Sequence, residues 1–346
     1  MAQLNNPCGV FVSGSEIYIA DKYNHRVRKV LRNGQIVTIC GTGIHGYNGD
    51  GQLATDAQLD HPCAVVVSSS DQVYISEYNG CRIRKIDRNG MISTIAGNGK
   101  GIYNGDGQLA VNAHLHNPFG LFVTDEEEVL IADSINHRVR KVDRFGIIST
   151  VAGTNDEGFN GDNHLATSAS LNYPTSVFQY KLEIYITDYH NHRIRKVDQN
   201  GIITTIAKTT SNMPSWLWFL SSQTDEITPK SLFVHHDEVY FIDGWYHLCK
   251  IFPNGMMKTI AGIKHEAGYN GDDQLATECT LYAPSAIFVD DETQIYIADS
   301  QNARIRMIDR NGMMKTVVGT AGESGFSGDV PFDFKQYPHI DQERNH

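Results

Sequence analysis

The chain has 346 residues, 40% of them hydrophobic and 20% charged, with 31 glycines and a net charge of −11. No apolar run approaches the roughly 20 residues that a membrane-spanning helix needs. The acidic balance also argues against a surface made to coat nucleic acid, which requires a concentrated basic patch.

Length alone favours two domains of about 100–200 residues each, but an internal repeat overrides that prior. Pro7, Pro62, Pro118, Pro174, Pro229 and Pro284 recur at spacings of 55 or 56 residues. Each opens a unit of four short β-rich runs, in the third copy residues 120–124, 128–133, 137–143 and 147–152. Gly, Asp, Asn or charged turn residues end each run, and connections this tight allow only antiparallel neighbours. One four-stranded meander cannot bury both of its apolar faces, so the copies must stack on one another. Four strands per period describe a propeller blade. The expectation is an all-β, six-bladed β-propeller forming one domain over residues 1–346.

In chain order, Ala2 to Pro7 reproduces the tail of an inter-blade linker (Ala57 to Pro62), and Gly325 to Asp329 reproduces its head (Gly46 to Asp50). The two ends are therefore expected to meet and complete one linker between them. No basic head followed by an apolar stretch opens the chain, so no leader peptide is expected.

The first run of each copy is unbroken and apolar (residues 9–12, 64–67, 286–289), which suits an innermost strand covered on both faces. The first hairpin turn is acidic, as at Asp71 and at Asp125 to Glu127. The second run ends in an acid (Asp21, Glu77, Asp133, Asp188, Asp243 or Asp299), and the third opens Asn24-His25-Arg26-Val27-Arg28-Lys29 or a variant. Here the chain resembles the NHL-repeat family, whose name comes from such an Asn-His step. The resemblance implies a six-bladed propeller and, by itself, no single activity. Acid and arginine at this turn, Asp21 with Arg26 or Asp133 with Arg138, are expected to form exposed structural ion pairs worth about 0–1 kcal/mol each.

The last hairpin carries Asn-Gly (Asn33-Gly34, Asn200-Gly201), the signature of a two-residue turn with positive φ, whereas copy three has Phe145-Gly146. In the linkers, Tyr47 to Asp50 and its equivalents fit an Asx turn in which the aspartate binds linker N–H groups over a packed aromatic ring. A calcium loop is not expected, because the remaining ligands and the bidentate glutamate are missing.

His25, His137 and His192 invite comparison with the peptide-amidating lyases, a branch resembling this fold that uses histidines and metal. They occupy equivalent places on different blades, and sheets packed ~10 Å apart keep them from sharing one zinc. No metal and no cofactor is therefore expected. The six cysteines lack any Cys-x-x-Cys pair and fit buried free thiols. With no Asn-x-Ser/Thr sequon, the balance leans towards an intracellular protein.

The repeat breaks once. The fourth linker loses its Tyr-Asn-Gly-Asp step to a segment containing Trp216, Trp218 and Phe219, and the fifth copy replaces Asn-His-Arg with Trp245-Tyr246-His247. All three tryptophans fall in this pair of deviations. Trp216, Trp218, Phe219, Trp245 and Tyr246 are the candidate binding residues, because large aromatics are enriched in binding hot spots. The alternative is that they pack on one another to fill the gap. No catalytic set of nucleophile, base and orienting group is visible. The expectation is a monomeric binding or scaffold module for a protein or peptide partner. Two alternatives are a metal-dependent lyase or hydrolase at the channel mouth, and an adhesion domain of a larger surface protein.

Overall fold

The computed structural model describes residues 2–208, 227–320, 324–326 and 328. Among them are six antiparallel sheets and no α-helix. The first sheet joins Pro7–Ser13, Glu16–Asp21, Arg26–Val30 and Ile36–Cys40 in sequential order. The first strands of successive blades touch in a closed ring, with the strand at Ala286–Val289 packed against Pro7–Ser13. Six clusters of buried apolar side chains lie between the blades. One of them joins Val10, Ile17 and Ile19 of the first blade to Tyr296 and Ile305 of the sixth.

The linkers into blades two, four and six run along the outer edge of the blade they are about to begin. Gln52–Leu53 pairs with Ile92 and Met91 as a fifth strand of blade two, and a 3-10 turn at Ala54–Asp56 then carries the chain inward to the fully buried Leu59.

The chain ends close the ring as the split linker predicts. Gly325 donates its N–H to the Leu4 carbonyl at 3.2 Å, the bond that Gly46 makes to Leu59 within an uninterrupted linker at 3.3 Å. Asn24 Nδ2 then donates to the Gly325 carbonyl at 2.6 Å, as Asn191 does to Gly158.

Three local expectations are corrected. First, the buried ion pair uses the second arginine of the third strand. Asp133 meets Arg140 at 3.4 Å, with both side chains fully buried, and Asp21 meets Arg28 at 3.7 Å. Both arginines stand on one face of the strand, two residues apart, over the same Tyr103 ring, and the second of them reaches the carboxylate. Arg138 lies opposite Asp133 in register but turns aside, donating to the Asn136 carbonyl and lying over the Tyr103 ring at 3.8 Å.

Second, the linker aspartate binds this same arginine. Asp106 accepts from Arg140 at 2.6 Å, Asp50 from Arg84 at 2.8 Å and Asp162 from Arg195 at 3.0 Å. It is the neighbouring asparagine that holds the linker backbone, Asn48 Oδ1 accepting from the Gln58 N–H. Third, the last hairpin is a four-residue turn. Gly146 donates to Asp143, and only the glycine, at φ 77, has positive φ. The residue before that glycine keeps negative φ, so Phe145 fits where other copies carry asparagine.

These contacts explain why the two deviations flanking blade five occur together. The linkers into blades two, three, four and six each supply an aromatic ring and an aspartate to two arginines of the blade they enter, as Tyr47 and Asp50 do to Arg82 and Arg84. Blade five has His247 and Cys249 in their places, and the linker before it has lost the Tyr-Asn-Gly-Asp step. Keeping the second arginine without the aspartate would leave a buried guanidinium short of charge compensation.

Candidate functional site

The inner strands line a central cavity of about 270 Å³. Going inward from the linker side, the residue after each opening proline forms a first tier: Cys8, Cys63, Phe119, Thr175, Lys230 and Ser285. A tier of small residues follows. A side chain at Gly9 would collide with the Cys63 carbonyl 2.5 Å away, so glycine is what lets blades one and two approach here. Beyond it, Phe122, Phe178, Phe233, Phe288 and Phe11 form a collar whose successive ring centroids lie 4.6 to 5.0 Å apart. Blade two contributes Val66 at this level and leaves the collar open on that side.

Turns between the second and third strands, together with the linker tails, build the rim on the linker side. Lys22 Nζ lies 4.9 Å from the Tyr78 ring. Tyr78 packs edge-on to Phe119 and shares a hydrogen bond between hydroxyls with Tyr173, whose ring lies beside Tyr189 and His190. On the far side, Lys230 Nζ stands 4.0 Å over Trp245. Tyr23, Trp245 and Tyr282 are 49%, 52% and 40% exposed.

The charges at this mouth are coupled. A hydrogen bond from Cys63 lowers the Cys8 thiol to about 7 against the effect of burial, with Lys22, Ser285 and Lys230 helping. Burial pushes Cys63 up. Burial also disfavours the Lys22 ammonium, but Cys8 and Cys63 outweigh it and hold the amine above its usual range. Burial brings Lys230 down to about 8, only partly offset by Asp243 and Cys8. The Cys8 thiol is thus shifted towards its thiolate and the Lys230 ammonium towards its neutral amine, while Lys22 beside them is held charged. This surface can take an apolar or aromatic group against the rim and an anionic group against the lysines.

Of the sequence candidates, Trp245 sits on this rim, and Tyr246 lies further out beside His247 and His265. Trp216, Trp218 and Phe219 lie outside the described residues. His25, His137 and His192 are kept apart, each against the linker tail of the next blade. His25 Nδ1 accepts from the His61 N–H at 3.4 Å, and His137 Nδ1 from the Tyr173 N–H at 3.2 Å. All six cysteines are buried and free. Sequence reading missed Cys8, Lys22, Tyr78, Tyr173 and Lys230. The available signal was variation: the positions just after each opening proline and just after each second-strand acid differ from copy to copy, while the flanking motif repeats.

A family model described as "Teneurin NHL domain" matches residues 44–104 and 263–336. Mouse Teneurin-4 is 25% identical over 88% of this chain, and chicken NHL repeat-containing protein 2 is 27% identical over 57% of it. The chain spans 12% of the first relative and 31% of the second. The virginiamycin B lyase of Staphylococcus aureus superposes with a TM-score of 0.54 at 13% identity, over 91% of this chain and 85% of that one, a likeness of fold. The six blades, their repeated Asn-His-Arg turns and these likenesses together support an NHL-repeat β-propeller. Among the described residues, no helix is long and apolar enough to cross a membrane.

Proposed function

We propose that the propeller is a binding module that presents its linker-side mouth to a protein or peptide partner, with Trp245 and Tyr246 in the contact and Trp216, Trp218 and Phe219 as further candidates. The observation that carries this reading is Trp245 itself: a half-exposed indole under a lysine, on the face that also exposes Tyr23 and Tyr282. Exposed aromatics gathered round a cavity mark interaction surfaces more often than isolated ones do. Similarity to NHL-repeat and teneurin proteins is consistent with an interaction role. The test is selection of binding peptides from a displayed library against the intact chain, followed by Trp245→Ala. Affinity should fall by ~2 kcal/mol or more with the melting midpoint unchanged. Peptides that bind Trp245→Ala equally well would place the site elsewhere.

A second reading, an enzyme working at the channel mouth, is favoured by the Cys8 thiol beside Lys22 and Lys230. It requires turnover of an electrophilic substrate, such as an activated ester, that Cys8→Ser abolishes.

A further inference from the structure

The junction between blades one and two gathers side chains that no other junction carries among the described residues. His25 closes the turn after the second strand of blade one, and Asp60 and His61 end the linker that enters blade two. The His25 and His61 rings stand nearly perpendicular with centroids 4.7 Å apart, and His61 Nδ1 lies 2.7 Å from Asp60 Oδ1. One donor atom from each of the three residues falls within 4.8 Å of the others. Bonds of about 2.0–2.2 Å in a tetrahedral site put ligand atoms roughly 3.4 Å apart, so small side-chain rotations suffice to close the set.

From this placement we infer that His25, Asp60 and His61 form a site for one divalent transition-metal cation of the zinc or nickel kind. Two imidazoles and a carboxylate select such ions over magnesium or calcium, which prefer all-oxygen shells. The fourth position falls to water or to His45, whose ring centroid is 5.7 Å from that of His25. The backbone holds the set in place: the Asp60 N–H donates to Glu77 Oε1 at 3.0 Å and the His61 N–H to His25 Nδ1. His61 and Asp60 are each 24% exposed at the side chain, open enough for an ion to enter.

The place of His61 in the repeat supports the assignment. It has left-handed backbone at φ 55, as do its equivalents Asn6, Asn117, Tyr173 and Ala283. Asparagine tolerates that conformation best, and blades one and three use it. A histidine here faces the histidine that the Asn-His-Arg step supplies in blade one, a coincidence that none of the other four repeats. Comparison of His25 with His137 and His192 alone, which led to the expectation of no metal, overlooks this partner from the adjoining linker.

Titration of the chelator-treated full chain with Zn²⁺ and Ni²⁺, followed by calorimetry, tests the inference. One equivalent should bind with micromolar affinity, and the melting midpoint should rise with metal concentration. His61→Asn installs the residue found at two sister junctions, so it should fold normally, keep its midpoint in chelator and bind at least ~10-fold more weakly. Asp60→Asn should behave alike, whereas His137→Asn should leave affinity unchanged. Absence of stoichiometric binding, undiminished affinity in His61→Asn, or an equal loss in His137→Asn would overturn the site.

Discussion

Arg140 donates from Nη2 to Asp106 Oδ1 at 2.6 Å, so a buried guanidinium of blade three holds the linker that enters that blade. The same side chain reaches the Gly105 carbonyl at 3.0 Å and Asp133 at 3.4 Å. One arginine thus ties strand two, strand three and the linker together. Three further copies of this contact recur round the ring, at Arg84, Arg195 and Arg306, and Arg28 reaches the Gly328 carbonyl in the same way that Arg140 reaches Gly105. Asp106→Ala leaves that guanidinium undercompensated and should cost ~3 kcal/mol in urea unfolding. Asp106→Asn combined with Arg140→Met should cost less than the sum of the two single changes, because both charges then leave together. Strict additivity would show the contact to be incidental.

Ring closure rests on Leu4, which is fully buried, and on its bond from Gly325. Deleting residues 1–6 removes one half of the split linker and opens the space between blades six and one. The thermal midpoint should drop by several degrees, as expected for the loss of a few kcal/mol. An unchanged midpoint would mean that the blades close without their linker.

Burial raises the Asp133 carboxyl from 3.8 to about 6, against the hydrogen bonds from His116 and Asn136 and the charge of Arg140. Between those pH values the folded protein holds a proton that the unfolded chain has released. The contribution of this group is therefore complete below about pH 4 and is lost as pH rises to 6. Asp133→Asn does not titrate. The stability of the wild type relative to that variant should fall by on the order of 3 kcal/mol between pH 4 and pH 7, read from urea midpoints at each pH. A difference that stays constant would mean that Asp133 is ionised throughout.

Cys8 lines the cavity with its thiol lowered to about 7, whereas burial pushes Cys40 and Cys249 up to about 12. A brief iodoacetamide pulse at pH 7.5 should label Cys8 first in peptide mass spectra, and Lys22→Met should slow that labelling several-fold. Equal labelling of Cys40 would point to unfolding as the route of access.

What the sequence determined by itself was whatever recurs. Periodicity of the opening prolines, strand-length apolar runs and the split linker are local or additive signals, so blade count, strand order and ring closure could be read from them. The pairing of Asp133 with Arg140 in place of Arg138 could not, because both arginines share one strand face over the Tyr103 ring, and only the packing of linker and turn decides which of them reaches the carboxylate. Only the tertiary structure decided that, and it alone brought Cys8, Lys22 and Lys230 to one mouth and set His61 against His25. Those groupings join residues from different blades and linkers, and a one-dimensional repeat carries no record of which side chains the closing of a ring turns towards one another.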